Sequence, residues 1–212
     1  MAYRKTSRVQ ERLADKRVRI LDAARQLVAR GGFRSTGVDN VATEAGVATG
    51  TVYRYFPSKA ALFVEVVSRV SEREVAVIAA IAGQAGPAPE QLNDAVRTFA
   101  GRALASPRLA YALIVEPSDP EVEAVRLLYR RRLADAFARI IAAGTASGAF
   151  PDQDTEVAAT CIVGALMEAL IGPLARARRD EAPMLVTAIA HFCSRAVAGR
   201  TAAQKEGAAE AA

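Results

Sequence analysis

The stretch at residues 36–59, TGVDNVATEAGVATGTVYRYFPSK, constrains the fold of this chain more than any other part of it. It reads as two short helices joined by a tight glycine-containing turn, the helix-turn-helix unit. Val41, Ala45, Val47 and Val52 are spaced to lock one helix across the other, and Ala42 is small where the second helix crosses close by. Gly46 provides a turn residue that tolerates positive φ. Thr36 stands where its hydroxyl can cap the first of these helices, with Asp39 at a capping-box-like spacing behind it. The second helix, expected over 49–55, then turns Thr49, Gly50, Thr51 and Tyr53 outward, on a cylinder narrow enough to enter a DNA major groove.

The charge distribution points the same way. Residues 1–60 hold 12 Lys/Arg against 5 Asp/Glu, whereas the rest of the chain holds 16 against 18. The overall excess of +5 is therefore entirely N-terminal. A basic segment beside a near-neutral body is the footprint of a nucleic-acid-binding module, with a solvated basic face as the plain alternative. The arm Arg4-Lys5-Thr6-Ser7-Arg8 either follows phosphates or the minor groove, or is a disordered basic tail.

Elsewhere nearly every apolar stretch has a helical period, strand-type alternation is absent, and Gly or Pro marks the joints, so the chain is expected to be all-α. Leu13, Ile20, Ala24 and Leu27 form one stripe of a first helix, Gly31-Gly32 stops it, and Phe33 is an apolar anchor just beyond. Pro57-Ser58 introduces a helix over 59–81, capped by Ser58. The segment 83–89, GQAGPAP, is the clearest linker. Helices are predicted over 90–105, between Pro107 and Pro117, and over 121–146, 155–178 and 182–199; Gly172-Pro173 is expected to break the end of the helix at 155–178. This divides the chain into an N-terminal three-helix domain at 1–60, a helical domain at 61–200 entered through a connecting helix at 59–81, and a disordered tail at 201–212.

Residues 12–65 closely resemble the DNA-binding domain of the tetracycline-repressor (TetR) family of bacterial regulators. The matching elements are Gly31-Gly32-Phe33, Thr36, Val41-Ala42, Ala45-Gly46-Val47, Gly50-Thr51-Val52-Tyr53, Tyr55-Phe56, and Lys59 followed by Leu62-Phe63. The resemblance implies that Thr36 binds phosphate, that Thr49, Gly50 and Thr51 lie along the bases, that Tyr53 and Tyr55 reach phosphate or sugar, and that Lys59 clamps the backbone. Tyr53 and Phe56 also read as core, and for Phe56 core is the better reading. Two departures blur the assignment: Ala48 cannot cap where the family often has Ser, leaving that task to Thr49, and Gly37 removes a hydroxyl.

Hydrophobic residues make up 51% of the chain, enough for a sizeable core in the second domain. The almost uninterrupted apolar run at 157–175 holds Glu168 and suits a helix buried among several neighbours better than a membrane span. Pairing it and the last helix with their copies makes a homodimer, as the resemblance also implies. Candidate lining of a small-molecule pocket is Phe99, Arg102, Tyr111, Glu116, Arg126, Tyr129, Phe137, Cys161, Met167 and Glu168, although aromatics at helical spacing more often read as plain core. Cys161 and Cys193 are far from CxxC spacing and read as small buried residues of a reduced, cytoplasmic protein; the charged N-terminus argues against a secretory signal. No catalytic constellation, phosphate loop or metal spacing is legible, so neither enzyme chemistry nor a cofactor is expected. The expected function is that of a DNA-binding transcriptional regulator, a repressor that binds an inverted repeat of double-stranded DNA as a homodimer and is released by a small molecule. A non-specific architectural DNA binder and a DNA-free helical scaffold are the rivals.

Overall fold

The computed structural model describes residues 7–176 and 182–199. Among them are nine helices and no strand: α1 (Ser7–Ser35), α2 (Val38–Ala45), α3 (Thr49–Tyr55), α4 (Lys59–Ala82), α5 (Ala88–Ala105), α6 (Pro107–Ile114), α7 (Pro120–Ala146), α8 (Thr155–Arg176) and α9 (Ala182–Ala198). The all-α expectation and the helix order agree with this. Most of the basic arm and the tail from 201 lie outside the described residues.

Local chemistry explains several boundaries. Ser58 Oγ accepts the Ala61 N–H at 3.0 Å and caps α4. Pro89 sits in the first turn of α5, where a missing N–H costs nothing. Asp154 Oδ1 accepts the N–H groups of Glu156 and Val157 and caps α8. The break expected at Gly172-Pro173 is absent: α8 runs on through Pro173 to Arg176. A proline in the last turns removes a single backbone donor there and leaves little helix beyond it to disrupt.

The chain forms two compact units. One comprises the described residues up to Val70 together with Arg108–Arg126; the other comprises Ser71–Pro107 and the described residues from Leu127 onward. The first unit is therefore larger than the 1–60 expected and is discontinuous in sequence. The reason is packing: Leu109, Ala112 and Val122 are buried in the same core as Ile20, Val28, Phe33, Val41, Val52 and Phe63. Burial of each large apolar side chain contributes roughly 1.5–3 kcal/mol. That core, and not intrinsic propensity, holds helices as short as α2 and α3, which would be marginal alone.

In the second unit α5 packs against α9 and α8. Ala95 and Ala100 of α5 and Ala190 of α9 are fully buried. Phe150 folds back under α7 at Gly144, where an added Cβ would stand 2.2 Å from its ring. Among the described residues α8 alone is long and apolar enough to cross a membrane by length and composition. Among its exposed positions Val157, Cys161, Gly164 and Glu168 recur at helical spacing, and α9 exposes Met184 and Phe192.

Candidate nucleic-acid interface

The joint between α1 and α2 is built from four hydrogen bonds. Gly32 takes φ 82, which breaks the helical run of α1. Its carbonyl, released from the helical ladder, accepts the Thr36 hydroxyl at 2.7 Å, and the Thr36 N–H donates to the Phe33 carbonyl at 3.2 Å. The Glu116 carboxylate accepts the next two N–H groups, from Phe33 at 3.0 Å and Arg34 at 2.9 Å. Phe33 packs on Phe63, with ring centroids 4.8 Å apart.

This corrects the expectation for Thr36. α2 begins at Val38 behind an extended Gly37 and has no side-chain cap. Thr36 is 1% exposed, with its hydroxyl turned onto Gly32, so it holds the joint and has no free surface for a phosphate. Asp39, the expected capping-box partner, instead accepts the Thr49 hydroxyl at 2.8 Å and ties the start of α2 to the start of α3.

The turn itself follows the sequence reading. Gly46 is left-handed at φ 64, ψ 44, and the Gly46 and Val47 N–H groups return to the Thr43 and Ala42 carbonyls. Arg19 donates to the Ala45 carbonyl at 2.9 Å and closes the same helix end from α1. Arg30 pairs with Glu44, Arg17 with Glu65, and Arg69 lies 3.7 Å from Asp22, so part of the basic excess is spent on the unit's own frame.

α3 buries one residue, Val52. Gly50, Tyr53 and Arg54 are exposed, and Thr49 and Thr51 are half-buried. A helix held by a single buried side chain and showing a polar and aromatic face has the shape of a groove-reading element. Tyr53, at 47% exposure, carries the large side chain of that face. Tyr55 does not share it: its hydroxyl is buried without a partner among the described residues, and its ring packs against the core. The hydroxyl expected to reach phosphate or sugar is thus turned inward in this structure. Phe56 is core, as expected, with the Arg17 guanidinium 5.3 Å from its ring centroid. Lys59 is half-buried, and its ammonium rests 5.3 Å from the Phe63 ring centroid. Arg34 and Arg54 were missed in the sequence reading. Both are exposed, and neither enters a salt bridge among the described residues. Their signal was position at helix ends, which charge counting overlooks.

The ten expected pocket residues do not form one set. Tyr111, Glu116 and Arg126 belong to the unit that holds α1–α3. Glu116 is the cap just described, and Arg126, 6% exposed, donates to the Ala112 carbonyl, pairs with Glu123 and faces the Phe33 ring at 5.6 Å. Nothing local in sequence announces the Glu116 contacts, whose partners lie more than eighty residues away. In the other unit, Arg102 grips Glu74 through two 2.7 Å hydrogen bonds, which raise its pKa further against the lowering effect of desolvation. The Tyr129 hydroxyl donates to Glu72 at 2.7 Å. Phe99 and Phe137 are buried as core, and Met167 is half-buried. Cys161 and Glu168 are exposed on α8 and so do not line the interior of their unit. Cys193 is buried, which pushes its thiol up to about 11.

Comparison with known proteins bears on both parts of the chain. Residues 20–66 match the family described as bacterial regulatory proteins, tetR family, and residues 102–182 match the tetracyclin repressor-like C-terminal domain. The HTH-type transcriptional repressor KstR of Rhodococcus jostii is 48% identical over 59 residues, 28% of this chain. The match also spans only 28% of that relative's own length. Among solved structures, the fatty acid degradation regulator FadR from Bacillus halodurans is 25% identical, with a TM-score of 0.75 over 84% of this chain and 94% of its own. FadR from Bacillus subtilis, solved in complex with stearoyl-CoA, is 20% identical, with a TM-score of 0.75 over 85% of this chain and 98% of its own.

Proposed function

Since the chain belongs to the tetR family of bacterial regulatory proteins, we propose that it is a ligand-responsive repressor, reading an inverted-repeat operator as a homodimer. The observation that carries this reading is the face of α3: one buried residue, an exposed Gly50-Tyr53-Arg54 surface, and a basic N-terminal segment around it. Thr51 and Tyr53 are the base-side contacts in this reading, with Gly50 allowing close approach. Arg34, Arg54 and Lys59 supply phosphate contacts, which add affinity without sequence information. Thr49 acts through its bond to Asp39.

The homodimer is supported by the exposed apolar positions of α8 and α9. Met184 is 81% exposed, Val157 57% and Phe192 54%, and exposed apolar side chains of this kind are what a second copy covers. The effector is a small organic molecule bound by the second unit; long-chain acyl-CoA is the first compound to test, because a relative in fold is known with stearoyl-CoA. The protein acts in the cytoplasm and catalyses no reaction in this reading.

The test is selection of duplexes from a random-sequence library by the full chain, followed by light scattering of the complex. Enrichment of an inverted repeat bound by a dimer is the expected result. Recovery of no preferred sequence, or of a monomer on a single half-site, overturns the reading. Titration of the selected complex with acyl-CoA and other metabolites then identifies the effector by loss of DNA binding, which requires preferential binding to the DNA-free form.

A further inference from the structure

We propose that Glu116 is a positioning residue for DNA binding: its carboxylate, carried by residues outside the DNA-binding helices, sets the joint from which α2 and α3 depart. The inference rests on the DNA-binding reading above and concerns one residue that reading does not use.

Four observations converge on it. Glu116 is 8% exposed, and both its oxygens are engaged, one on the Phe33 N–H and the other on the Arg34 N–H. These donors directly follow Gly32, at the break in α1. Gly32 leaves room for the carboxylate: an added Cβ would stand 2.4 Å from Glu116 Oε2, in a backbone conformation that L side chains rarely adopt. The carrier is itself fixed. The Glu116 N–H returns to the Tyr111 carbonyl at 3.1 Å, and Arg126 holds the Ala112 carbonyl while facing the same Phe33 ring.

The consequence follows from geometry. A helix break leaves two soft dihedrals per residue, and the direction of α2 depends on those of residues 32–37. Thr36 on the Gly32 carbonyl fixes the inner side of this turn, and the Glu116 carboxylate fixes its outer N–H groups. A charged acceptor shared by two neutral donors makes hydrogen bonds stronger than neutral pairs. Gln at the same position presents one acceptor oxygen and an NH2 group, so it can satisfy one of the two donors and opposes the other. A misplaced recognition helix weakens base contacts far more than phosphate contacts, so the loss falls on sequence-selective binding.

Segment 108–126 is flanked in sequence by residues of the other unit on both sides. The affinity for DNA is thus made to depend on a side chain that the chain delivers from between two stretches of its second unit.

The experiment compares the full chain with its Glu116→Gln and Glu116→Ala variants. The probes are the duplex selected by the unmodified chain and a random-sequence duplex of equal length. Helical content, melting temperature and amide exchange at Phe33 and Arg34 are measured on the same samples. Glu116→Gln is expected to weaken the selected duplex at least tenfold, about 1.4 kcal/mol, with a smaller loss on random DNA, unchanged helical content and faster exchange at the two amides. A purely structural cap would lower the melting temperature and leave affinity per folded molecule unchanged; that result, or unaltered binding, overturns the proposal. Should both variants lose helical content, exchange in the unmodified chain and affinity per folded molecule decide. Exchange of Phe33 and Arg34 at open-chain rates overturns the proposal, and their protection to the level of the α1 interior, together with a reduced ratio of selected to random affinity per folded molecule in Glu116→Gln, supports it. Failure of the unmodified chain to select any duplex would instead refute the DNA-binding reading, and the two failures are therefore separate.

Discussion

Replacing Gly46 with alanine isolates a backbone cost at the centre of the helix-turn-helix. Gly46 sits at φ 64, ψ 44, and a Cβ built there meets nothing within 4 Å. The cost is therefore that of placing an L side chain in the left-handed region, about 1–2 kcal/mol, with no clash added. The turn cannot relax to avoid it, because the Gly46 and Val47 N–H groups are held by the Thr43 and Ala42 carbonyls at 3.1 and 3.0 Å. For a chain of this size each 1 kcal/mol corresponds to roughly 2–4 °C of melting temperature, so Gly46→Ala should melt roughly 2–8 °C lower. Gly46→Asn should lose less, since Asn visits this region with less penalty. Urea unfolding followed by circular dichroism gives the stability difference, and amide exchange across α2 and α3 shows whether the loss is local to that unit. Equal stability of Gly46→Ala and the unmodified chain, or a greater loss for Asn than for Ala, would falsify the left-handed argument. A loss well beyond about 3 kcal/mol would show that the side chain does meet something.

Gly50 gives the opposite stability result: it lies inside α3 with open space around it, so Gly50→Ala should stabilise the chain by about 0.5–1 kcal/mol while weakening the selected duplex, read by melting and anisotropy on one preparation. Tyr53→Ala should reduce binding to selected DNA more than to random DNA, whereas Lys59→Ala should reduce both and lower the slope of log affinity against log salt by about 1; equal behaviour of the two variants would remove the distinction between base and phosphate contacts. Cys193 should resist thiol reagents in the folded chain near neutral pH and react on unfolding, tested in a Cys161→Ser background. Its folded pKa is raised from 9.0 to about 11, so this site's contribution to stability is complete below pH about 9 and is lost as pH rises towards 11. The urea midpoint should fall across that window, and Cys193→Ala should remove that part of the fall.

What was legible in the sequence was local. Gly46 between two short apolar periods, Ser58 behind a proline and the glycine pair after a helical stripe each act within about a helical turn, and each stands where expected. Thr36 shows where local reading fails. Its spacing to Asp39 suited a cap, but the broken helix left the Gly32 carbonyl as an acceptor, and the hydroxyl turned back to it. Asp39 was then free for Thr49, across the turn. Tyr55 shows the same limit, since period alone does not say which of two neighbouring tyrosines faces the core: Tyr53 points out and Tyr55 in. Glu116 and Arg126 lay furthest from reach. Both look like ordinary charged residues near prolines, and only the tertiary packing of Leu109, Ala112 and Val122 into the first unit's core brings them to the α1 break. The physical reason is that short-range hydrogen bonding and apolar periodicity are written in adjacent residues, whereas the partner of a buried charge is chosen by whichever distant segment the core has already carried there.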